Sequence, residues 1–496
     1  MAERGREGPH PGWIAAAVAA AAFWAFAPAL RNGFAWDDAE NFLANPHFRG
    51  LGWTQLRWMF TTAWLGPYQP LSWLSAAVDW TAWGFNPVGW HLTNLLLHAA
   101  NAALFFFLAR RLLPRSPRAL WCAAAAALLF SVHPLRVEAV VWATERRTLL
   151  AGFFYFAALL CWLEEGRARR AALPLFACSL LSKGIGIGLP FTLLALDVHA
   201  RRRPDIREKA PFFLLAAAFG AVELAAYAPG VPSPVDAAAR ACFALIFYAV
   251  KTVLPLGLSP SYDFVWPLAL CGPAVAGAAW WLWAERGRRP WAWASAIHYA
   301  AALAPVLGLV KFGEHAVADR YSYLSCAVFP LLAAGWLSTL EDRKVFPRAA
   351  AAAAALAVGL GVMSWRQSFA WRDSLSLWTR AYAVDPGSVF ARKRLSQAYY
   401  NVGNEFLRAG RAREAGRFYF AAVRVDADNA LAHNNLGTAM LNLGLPDEAV
   451  SSFCRALGAD PRMGGSAANL RAVLVRYPKL NGRLDAGCRA ALTTRE

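Results

Sequence analysis

The chain has 496 residues, of which 58% are hydrophobic, 14% aromatic and only 17% charged. Soluble domains average about 45–50% apolar and about 25% charged residues, so this composition excludes an ordinary soluble enzyme, a disordered protein and a disulfide-stabilised small domain. A formal net charge of +18 would suit a nucleic-acid-binding protein, but the basic residues stand in short clusters between apolar stretches. Such spacing is typical of the cytoplasmic loops of membrane proteins. We therefore predict a polytopic membrane protein with no nucleic-acid partner.

The first apolar run, Trp13 to Leu30, follows a short basic segment. It is about 18 residues long, which is enough to cross a bilayer core of about 30 Å. A signal peptide is the alternative, because small residues lie near its end, but many apolar runs follow and we predict a retained span. The next segment, 32–87, is rich in Gly, Pro and Trp and is predicted to be a large extramembrane loop. Within it, the Trp-rich stretches Trp53–Phe60 and Leu71–Trp83 are predicted to be amphipathic helices in the membrane interface.

Further apolar segments predict more spans at about 88–112, 119–133, 147–163, 171–184, 186–199, 210–228, 265–284, 291–310, 321–340 and 347–365. The apolar stretch 239–256 is ambiguous. Basic residues cluster at 110–118, 167–170, 201–203, 286–289 and 343–344. All these clusters fall on the cytoplasmic side if the N-terminus is inside and 239–256 does not cross the membrane. We therefore predict about eleven spans, with 239–256 interfacial or re-entrant and the C-terminal part of the chain outside the cytoplasm.

The chain changes character at about residue 372, where it becomes less apolar and more charged. Residues 430–463 fit a tetratricopeptide repeat, a helix pair of about 34 residues in which small side chains let the helices approach. The matching residues are His433, Leu436, Gly437, Met440, Ala449, Phe453, Ala456 and Pro461. A second unit lies one period earlier, and a partial unit precedes it. We predict a membrane domain at 1–371 and a short α-solenoid of repeats at 372–496, whose ligand the sequence does not specify.

The eight cysteines include no C-x-x-C pair, which argues against a zinc site. Six of them lie in apolar segments, where a lone cysteine is usually a small buried hydrophobic residue. Whether the remaining two, Cys454 and Cys488, pair with each other stays open.

Directly after the first span stands an acidic pair, Asp37 and Asp38. Two adjacent carboxylates repel one another and raise each other's pKa, so one of them could act as a general base near neutral pH. The pair could instead ligate a divalent cation. The alternative without chemistry is an aspartate that caps a helix or a turn. The residues leave all three interpretations open.

The span that begins at Val88 carries His91, Asn94, His98 and Asn101 at intervals of three or four residues. This spacing puts the four polar side chains on one face of the helix. Polar groups in a span cost free energy unless they face the bundle interior or a wet cavity, so we predict that this polar stripe faces inward. Hydrogen bonds between helices explain the stripe as well as substrate contact does.

A further set of polar and charged residues falls at the non-cytoplasmic ends of the predicted spans: His133, Arg136, Glu138, Glu145, Arg146, Arg147, Lys183, Lys311, Glu314, His315, Asp319 and Arg320. The positive-inside rule does not account for cations on this side. Arginine pairs well with phosphate oxygens, so a wet cavity of mixed charge here would suit a lipid substrate that carries a phosphate. The alternative is that Arg136 or Arg146 simply pairs with a neighbouring glutamate.

Several motifs follow one another along the chain. An F-x-W-D-D-x-x-N motif comes after the first span, followed by Y-Q-P-L-S at 68–72, N-P-V-G-W-H-L-T-N-L-L-L-H at 86–98, H-P at 133–134, S-K at 182–183 and A-D-R-Y-S-Y-L at 318–324. In this order, and with repeats at the end, they resemble the transmembrane-and-tetratricopeptide-repeat proteins. That family belongs to the GT-C glycosyltransferases and is similar to protein O-mannosyltransferases. The resemblance spans nearly the whole chain, although the eukaryotic relatives have longer repeat arrays.

Abundant Ala, and Lys that is scarce beside Arg, suit a high-GC bacterium, so we expect a protein of the bacterial inner membrane with its repeats on the periplasmic side. The resemblance implies an enzyme that acts on the non-cytoplasmic side. It implies transfer of a sugar, mannose or a similar hexose, from a polyprenyl-phosphate carrier to a hydroxyl of an envelope protein or glycan. Asp37 would be the base that takes the acceptor proton, and Asp38 its orienting or metal partner. The substrate-binding candidates are His91, His98, His133, Arg136, Arg147, Lys183, Asp319 and Arg320. No cofactor is implied, and a divalent metal stays an alternative.

Of two other functions, the residues leave one open. The chain could be a non-enzymatic, membrane-anchored repeat scaffold for the assembly of envelope proteins, with an inactive carboxylate pair. A transporter would show symmetry between two halves, and the sequence has none that we can detect. A site that brings Asp37 and Asp38 together with Lys183 and Arg320 would favour the enzyme over the scaffold.

Overall fold

The computed structural model describes residues 9–227, 230, 232–262, 267–308, 316–342 and 344–493. These residues form helices and no β-strand, which confirms the predicted all-α fold class. The chain divides into two compact units, Met1–Asp373 and Ser374–Glu496. Four residues of the predicted charged groups lie outside the described residues: Lys311, Arg343, Glu314 and His315.

The first unit contains α1 to α17 in the described residues. Their bounds are α1 Pro11–Ala25, α2 Trp53–Thr61, α3 Pro70–Trp83, α4 Pro87–Leu112, α5 Ala119–Ser131, α6 Val137–Val141, α7 Arg146–Trp162, α8 Gly166–Arg170, α9 Ala172–Ser182, α10 Leu189–His199, α11 Ile206–Tyr227, α12 Pro234–Val253, α13 Leu268–Ala284, α14 Pro290–Leu303, α15 Ser322–Ser325, α16 Val328–Ser338 and α17 Val345–Ser368. Each apolar segment predicted to span the membrane contains one of these helices or a part of one.

Three helices among the described residues are long and apolar enough to cross a membrane unaided, namely α4, α11 and α17. Two bent pairs raise the number to five if each pair is one span: Ala119–Ser131 with Pro134–Val141, and Asp319–Ser325 with Val328–Ser338. The first unit is therefore built as a membrane protein. The total of about eleven spans stays a prediction, because several of the other apolar helices are only 11 to 17 residues long.

Helix α4 occupies the middle of the first unit, where it packs against α1, α5 and α7. It begins at Pro87, a residue suited to the first turn of a helix, and the Asn86 side chain caps it by accepting a hydrogen bond from the Val88 N–H at 3.1 Å. Helix α14 packs closely against Gly188, the residue that directly precedes α10. A Cβ atom added at Gly188 would lie 2.2 Å from the Ala301 carbonyl oxygen, so only glycine fits there.

Both Trp-rich stretches of the first loop are helical, as predicted, and form α2 and α3.

The ambiguous stretch 239–256 lies mostly in α12, which is not among the described helices that are long and apolar enough to cross a membrane. One face of α12 buries Phe243, Phe247 and Tyr248 in a core shared with Tyr262.

The second unit contains α18 Ser374–Val384, α19 Val389–Arg408, α20 Ala412–Val425, α21 Ala430–Asn442, α22 Pro446–Ala459, α23 Gly464–Arg476 and α24 Ala486–Thr493. Helices α19 and α20 form one pair and α21 and α22 the next. Glycine permits the close contact in both pairs, since a Cβ at Gly403 would lie 2.6 Å from the Tyr419 ring and one at Gly437 2.7 Å from the Phe453 ring. A disulfide between Cys454 and Cys488 joins α22 to α24.

Candidate active site

Asp38 lies in the loop that follows α1 and is 1% exposed. Its hydrogen bonds hold this loop in place. Its carboxylate accepts hydrogen bonds from the Ala35 N–H at 2.9 Å and from the Thr144 N–H and hydroxyl at 2.8 and 2.7 Å. Burial raises the pKa of Asp38 to about 7, although these hydrogen bonds act in the opposite direction. Because both carboxylate oxygens are occupied by protein donors, Asp38 acts as an anchor between this loop and the segment that holds Thr144.

Asp37 differs from its neighbour in being only partly buried. Its main-chain carbonyl accepts from the Asn41 N–H at 2.8 Å, at the start of the π-helical turn Ala39–Leu43. Turns of this kind often mark functional positions. A partly exposed carboxylate beside a buried, anchored one suits the predicted division of roles, with Asp37 as base and Asp38 as the orienting group. Those roles stay predictions.

Three stacked tryptophan rings lie beside the loop that carries Asp37 and Asp38, which we call the acidic loop. Trp36 lies parallel to Trp142, with ring centroids 4.6 Å apart and planes 1° apart, and Trp371 stacks on Trp142 at 5.5 Å. Trp36 has a φ of 55°, a left-handed conformation that is strained for a bulky residue. The surrounding contacts must hold that strain, which is a common feature of functional sites. The stack therefore fixes the residue that directly precedes Asp37.

Next to this loop lies a group of buried charges that we call the Glu145 cluster, composed of Glu138, Glu145, Arg147, Lys183 and Arg320. The Glu145 carboxylate accepts from Lys183 Nζ at 2.7 Å and from Arg147 Nη2 at 2.9 Å, and Arg320 Nε lies 3.7 Å away. Burial alone would raise the pKa of Glu145, but the three neighbouring cations outweigh it and hold that pKa well below its usual range. Glu145 is therefore an anion that gathers three cations.

Arg320 connects this cluster to the tryptophan stack. Its guanidinium pairs with Glu138, whose carboxylate also accepts from the Arg320 main-chain N–H at 2.9 Å. The same guanidinium carbon lies 5.8 Å from the Trp36 ring centroid and 5.6 Å from that of Trp142. Asp319, the residue before it, accepts a hydrogen bond from the Tyr262 hydroxyl at 2.8 Å.

The structure thus brings the loop that carries the acidic pair next to three of the predicted cations, Arg147, Lys183 and Arg320. Asp38 accepts a hydrogen bond from Thr144, and Thr144 directly precedes Glu145. Glu145 forms salt bridges with Lys183 and Arg147. Lys183 and Arg147 keep 16% and 17% of their side-chain surface exposed, whereas Glu145 has none. Cations that are partly exposed and held by a buried carboxylate form a preorganised site for an anion such as a phosphate.

The polar stripe of α4 faces inward, as predicted, and its four side chains are fully buried. The two ring nitrogens of His98 contact the Tyr323 hydroxyl and the Ser131 carbonyl oxygen, each at 2.8 Å. Asn101 donates to the Leu149 carbonyl and Asn94 to the Val140 and Trp142 carbonyls. His91 Nε2 lies 3.2 Å from the Gly33 carbonyl oxygen. Hydrogen bonds between segments of the bundle therefore account for the stripe.

The alternative in which Arg136 or Arg146 pairs with Glu138 or Glu145 is not what the described residues show. Arg146 instead forms a buried ion pair with Asp79 at 2.5 Å, because Glu138 and Glu145 are already engaged by other cations. Arg136 is buried with its guanidinium over the Phe130 and Tyr323 rings, at 5.2 and 5.5 Å.

His133 bonds to the protein backbone in two places. Its Nε2 lies 3.0 Å from the Thr252 carbonyl oxygen, and its Nδ1 accepts from the Leu135 N–H at 3.2 Å. His133 and Arg136 therefore serve to join segments of the bundle in this conformation.

The sequence interpretation missed two parts of this region. One is the tryptophan stack, which no spacing along the chain predicts. The other is Glu223, a carboxylate in the apolar helix α11 that accepts from the Tyr68 N–H at 3.1 Å and so ties the first loop to α11. An acidic residue inside an apolar span is a functional signal by itself, and it could have identified Glu223.

A divalent metal was one alternative for the acidic pair. Within the described residues, no group of three or more His, Cys, Asp or Glu side chains is placed to hold a metal ion. The Asp38 oxygens are occupied by protein donors. We therefore assign no step of the chemistry to a metal.

Comparison with known proteins gives several relatives of one kind and no matching family model. The chain is 35% identical over 155 residues to protein O-mannosyl-transferase Tmtc1 of Drosophila melanogaster, a match that covers 30% of the chain and 18% of the relative. It is 24% identical over 429 residues to protein O-mannosyl-transferase F38B6.6 of Caenorhabditis elegans, covering 80% and 60%. The chain thus spans less than two thirds of the length of either relative.

Among solved structures, ArnT from Cupriavidus metallidurans bound to undecaprenyl phosphate aligns over 92% of this chain and 82% of its own, with 15% identity and a TM-score of 0.38. The matches to the O-mannosyl-transferases confirm the resemblance that the sequence motifs predicted.

Proposed function

We propose that this relative of the transmembrane-and-tetratricopeptide-repeat O-mannosyl-transferases is a membrane glycosyltransferase. It moves a sugar from a polyprenyl-phosphate carrier to a hydroxyl group on an acceptor. The sugar that we propose is mannose or a similar hexose, because the relatives are named as mannosyl-transferases. One observation carries the proposal, namely the convergence of the Asp37 loop and the Glu145 cluster in one region of the membrane unit.

The residues divide the chemistry between them. The acceptor hydroxyl gives its proton to the Asp37 carboxylate, and its oxygen forms a bond to the anomeric carbon of the sugar. The bond between that carbon and the phosphate oxygen breaks, and its electron pair leaves with the polyprenyl phosphate. The departing phosphate gains a negative charge, which Lys183 and Arg147 stabilise. A phosphate is already a good leaving group, so this scheme needs no acid catalyst.

The site lies on the non-cytoplasmic side in this proposal, as do the repeats. The disulfide between Cys454 and Cys488 supports this placement of the second unit, because disulfides persist in oxidising compartments and are rare in the cytosol. The basic clusters of the membrane unit support it independently through the positive-inside rule. In a bacterium, this places the protein in the inner membrane with its repeats in the periplasm.

Asp37→Asn tests the catalytic role directly. The substitution keeps the size of the side chain but removes the base, so we expect turnover to fall by about 10²–10⁴-fold, the usual contribution of a positioned general base. Affinity for the donor lipid should stay nearly unchanged, because the proposed phosphate ligands are elsewhere. Purified protein would be supplied with polyprenyl-phosphate mannose and a peptide rich in Ser and Thr. The measurement is the added hexose mass on the acceptor.

Two further variants complete this experiment. Glu40→Gln removes an exposed carboxylate from the same loop and should leave turnover unchanged. Arg147→Gln should weaken donor binding and also slow single-turnover transfer, because Arg147 is proposed to hold the phosphate and to stabilise the charge that it gains. Normal transfer by a well-inserted Asp37→Asn protein would exclude Asp37 as the base. Absence of transfer by the well-inserted, unaltered protein would favour the scaffold function.

A further inference from the structure

The first unit contains a cavity of about 390 Å³ that is lined mainly by residues of α4, α7, α10, α14 and α16. Small-molecule sites in proteins have volumes of roughly 300–1,000 Å³. None of the residues proposed for sugar transfer lines this cavity. Along α16 the lining runs from Val328 to Thr339, about 16 Å at a rise of about 1.5 Å per residue. That length is about half of a bilayer core of about 30 Å, so the cavity is as long as one leaflet is thick.

The polar side chains of the lining are bonded to the protein itself. They are Thr192, His199, Ser295, His298 and Thr339. Each takes part in a hydrogen bond within the protein, with distances of 2.7 to 3.1 Å. The other lining side chains are almost all hydrocarbon. A hydrocarbon chain therefore fits this cavity better than a sugar or a peptide, because both of those would lose hydrogen bonds to water on entering it.

Two exposed arginines adjoin one end of the cavity. Pro114 lines the cavity, and Arg115 directly follows it. His199 also lines it, and Arg201 comes two positions later. His199 Nε2 lies 3.1 Å from the Leu112 carbonyl oxygen, which brings the ends of α4 and α10 together here. Neither arginine forms an ion pair within the described part of the chain, so both can bind phosphate oxygens of a ligand.

Two tryptophans lie at the same end. The contact of Gly188 with Ala301 shows that α14 runs antiparallel to α10, which puts Trp291 at the end where α10 finishes. Trp336 lies near the end of α16. Both line the cavity and are 48% and 63% exposed. Tryptophan is enriched at the level of lipid headgroups, because its ring is apolar and its N–H is polar. This end of the cavity therefore has the composition of a membrane interface.

We propose that the cavity binds an anionic phospholipid. One acyl chain lies between the five helices, and the headgroup phosphate lies on Arg115 and Arg201. Basic pockets between membrane helices bind anionic headgroups in general, and the length of the cavity suits an acyl chain, which fills one leaflet. The predicted orientation puts this lipid in the cytoplasmic leaflet. The inference is independent of the proposed sugar transfer, since neither the donor nor the acceptor takes part.

The test uses the full chain in lipid nanodiscs. The probe is phosphatidylglycerol with a photoreactive diazirine in one acyl chain, and zwitterionic phosphatidylcholine with the same chain is the comparison. Mass spectrometry measures labelling of α14 and α16 relative to α13, whose mostly exposed residues report ordinary lipid contact. An arginine near an anionic headgroup strengthens binding by about 5-fold. We therefore expect phosphatidylglycerol to label α14 and α16 at least about 5-fold more than phosphatidylcholine does.

A variant that fills the cavity tests the position of the acyl chain. A Cβ atom at Gly335 would meet only Leu113, at 3.8 Å, so Gly335→Leu should keep the fold and occupy part of the cavity. It should lower the labelling by phosphatidylglycerol by about 5-fold or more. Gly359→Leu in α17 is the matched control, because a Cβ there meets nothing within 4 Å and Gly359 does not line the cavity.

A second pair of variants tests the headgroup contact. Arg115→Gln combined with Arg201→Gln should remove the preference for phosphatidylglycerol, because the proposed phosphate ligands are lost. Arg167→Gln combined with Arg170→Gln removes the same charge from exposed positions of α8 that do not adjoin the cavity. This control should keep the preference.

Several outcomes would overturn the proposal. They are equal labelling by the two lipids, labelling of α14 and α16 no stronger than that of α13, unchanged labelling in Gly335→Leu, and an unchanged preference in the Arg115 and Arg201 double variant. Loss of labelling when polyprenyl phosphate is added in excess would assign the cavity to the tail of the carrier instead. None of these measurements involves sugar transfer, so a failure of the proposed enzyme function would leave them unaltered.

Discussion

At the scale of single residues, the first unit places the charged groups of the Glu145 cluster inside the protein, where an unpaired charge costs free energy. Glu145 is fully buried and engages Lys183 and Arg147, and Arg320 lies between it and Glu138. A buried carboxylate is tolerable only because cations surround it, and the same carboxylate keeps those cations from separating. Glu145 therefore has a positioning role toward the residues proposed to bind phosphate.

Glu145→Gln should be strongly destabilising. It keeps the shape of the side chain but leaves the mostly buried cations Lys183 and Arg147 without their counter-charge, so the free energy of unfolding should fall by about 3–5 kcal/mol. Glu164→Gln is the matched control, because Glu164 pairs with Arg111 on the exposed surface and such pairs contribute about 0–1 kcal/mol. Thermal unfolding of both variants in detergent measures the difference. Similar melting temperatures would contradict a structural role for Glu145.

Asp38 should make stability depend on pH. Burial raises its pKa from the ordinary 3.8 to about 7, so between these values the folded chain holds a proton that the unfolded chain has lost. The contribution of Asp38 to stability is therefore largest below pH 4 and declines as the pH rises to 7. Asp38→Asn cannot titrate and should show a flatter profile. Melting temperatures measured at several pH values for both proteins test this, and parallel curves would refute it.

The sequence predicted most residues of the candidate site from their chemical type. It did not predict which of them contact one another. Asp37, Lys183 and Arg320 could be assigned to one side of the membrane from topology alone. That Glu145 gathers the cations depends on packing between segments distant in the chain, and no local pattern encodes it. The spacing of His91 and His98 placed them on an inward face correctly, but spacing does not distinguish a buried hydrogen bond from a ligand contact.

At the scale of elements, apolar runs predicted helices well because hydrophobicity and helix length are local properties. They predicted the breaks poorly. The apolar stretch 119–133 continues after a 55° bend into Pro134–Val141, and Asp319–Ser325 meets Val328–Ser338 at 46°. The first break falls directly before Pro134, where His133 has an extended backbone, because proline disfavours a helical conformation in the residue that precedes it. A mean hydropathy does not register that restriction.

The close helix pairs of the second unit yield a sharp test. A Cβ at Gly437 would lie 2.7–2.9 Å from three atoms of the Phe453 ring, so Gly437→Ala should destabilise the unit by about 1–3 kcal/mol through overpacking. The same change at Gly458, within α22, meets nothing within 4 Å and should stabilise by about 0.5–1 kcal/mol through helix propensity. Denaturant unfolding compares the two, and effects of equal sign would contradict the packing.

At the scale of the whole molecule, the basic clusters predict the orientation in the membrane. We expect a reporter fused at Arg202, between α10 and α11, to be active in the cytoplasm of a bacterial host. A reporter fused after Asp373, where the first unit ends, should be active in the periplasm. Fusions at other basic clusters serve as controls for the intermediate spans. Activity of both reporters in the same compartment would mean that the predicted count of spans is wrong.

The acidic loop is held by residues that lie far along the chain, and this has a consequence for the timing of biosynthesis. Asn32 donates to the Ser368 carbonyl, 336 positions along the chain, and the ring of Trp36 lies against that of Trp371. A ribosome adds about 5–20 residues per second, so the loop is made roughly 20–70 s before the segment that contacts it. These contacts of the acidic loop therefore form only late in synthesis, after the end of α17 and the segment that follows it have been made.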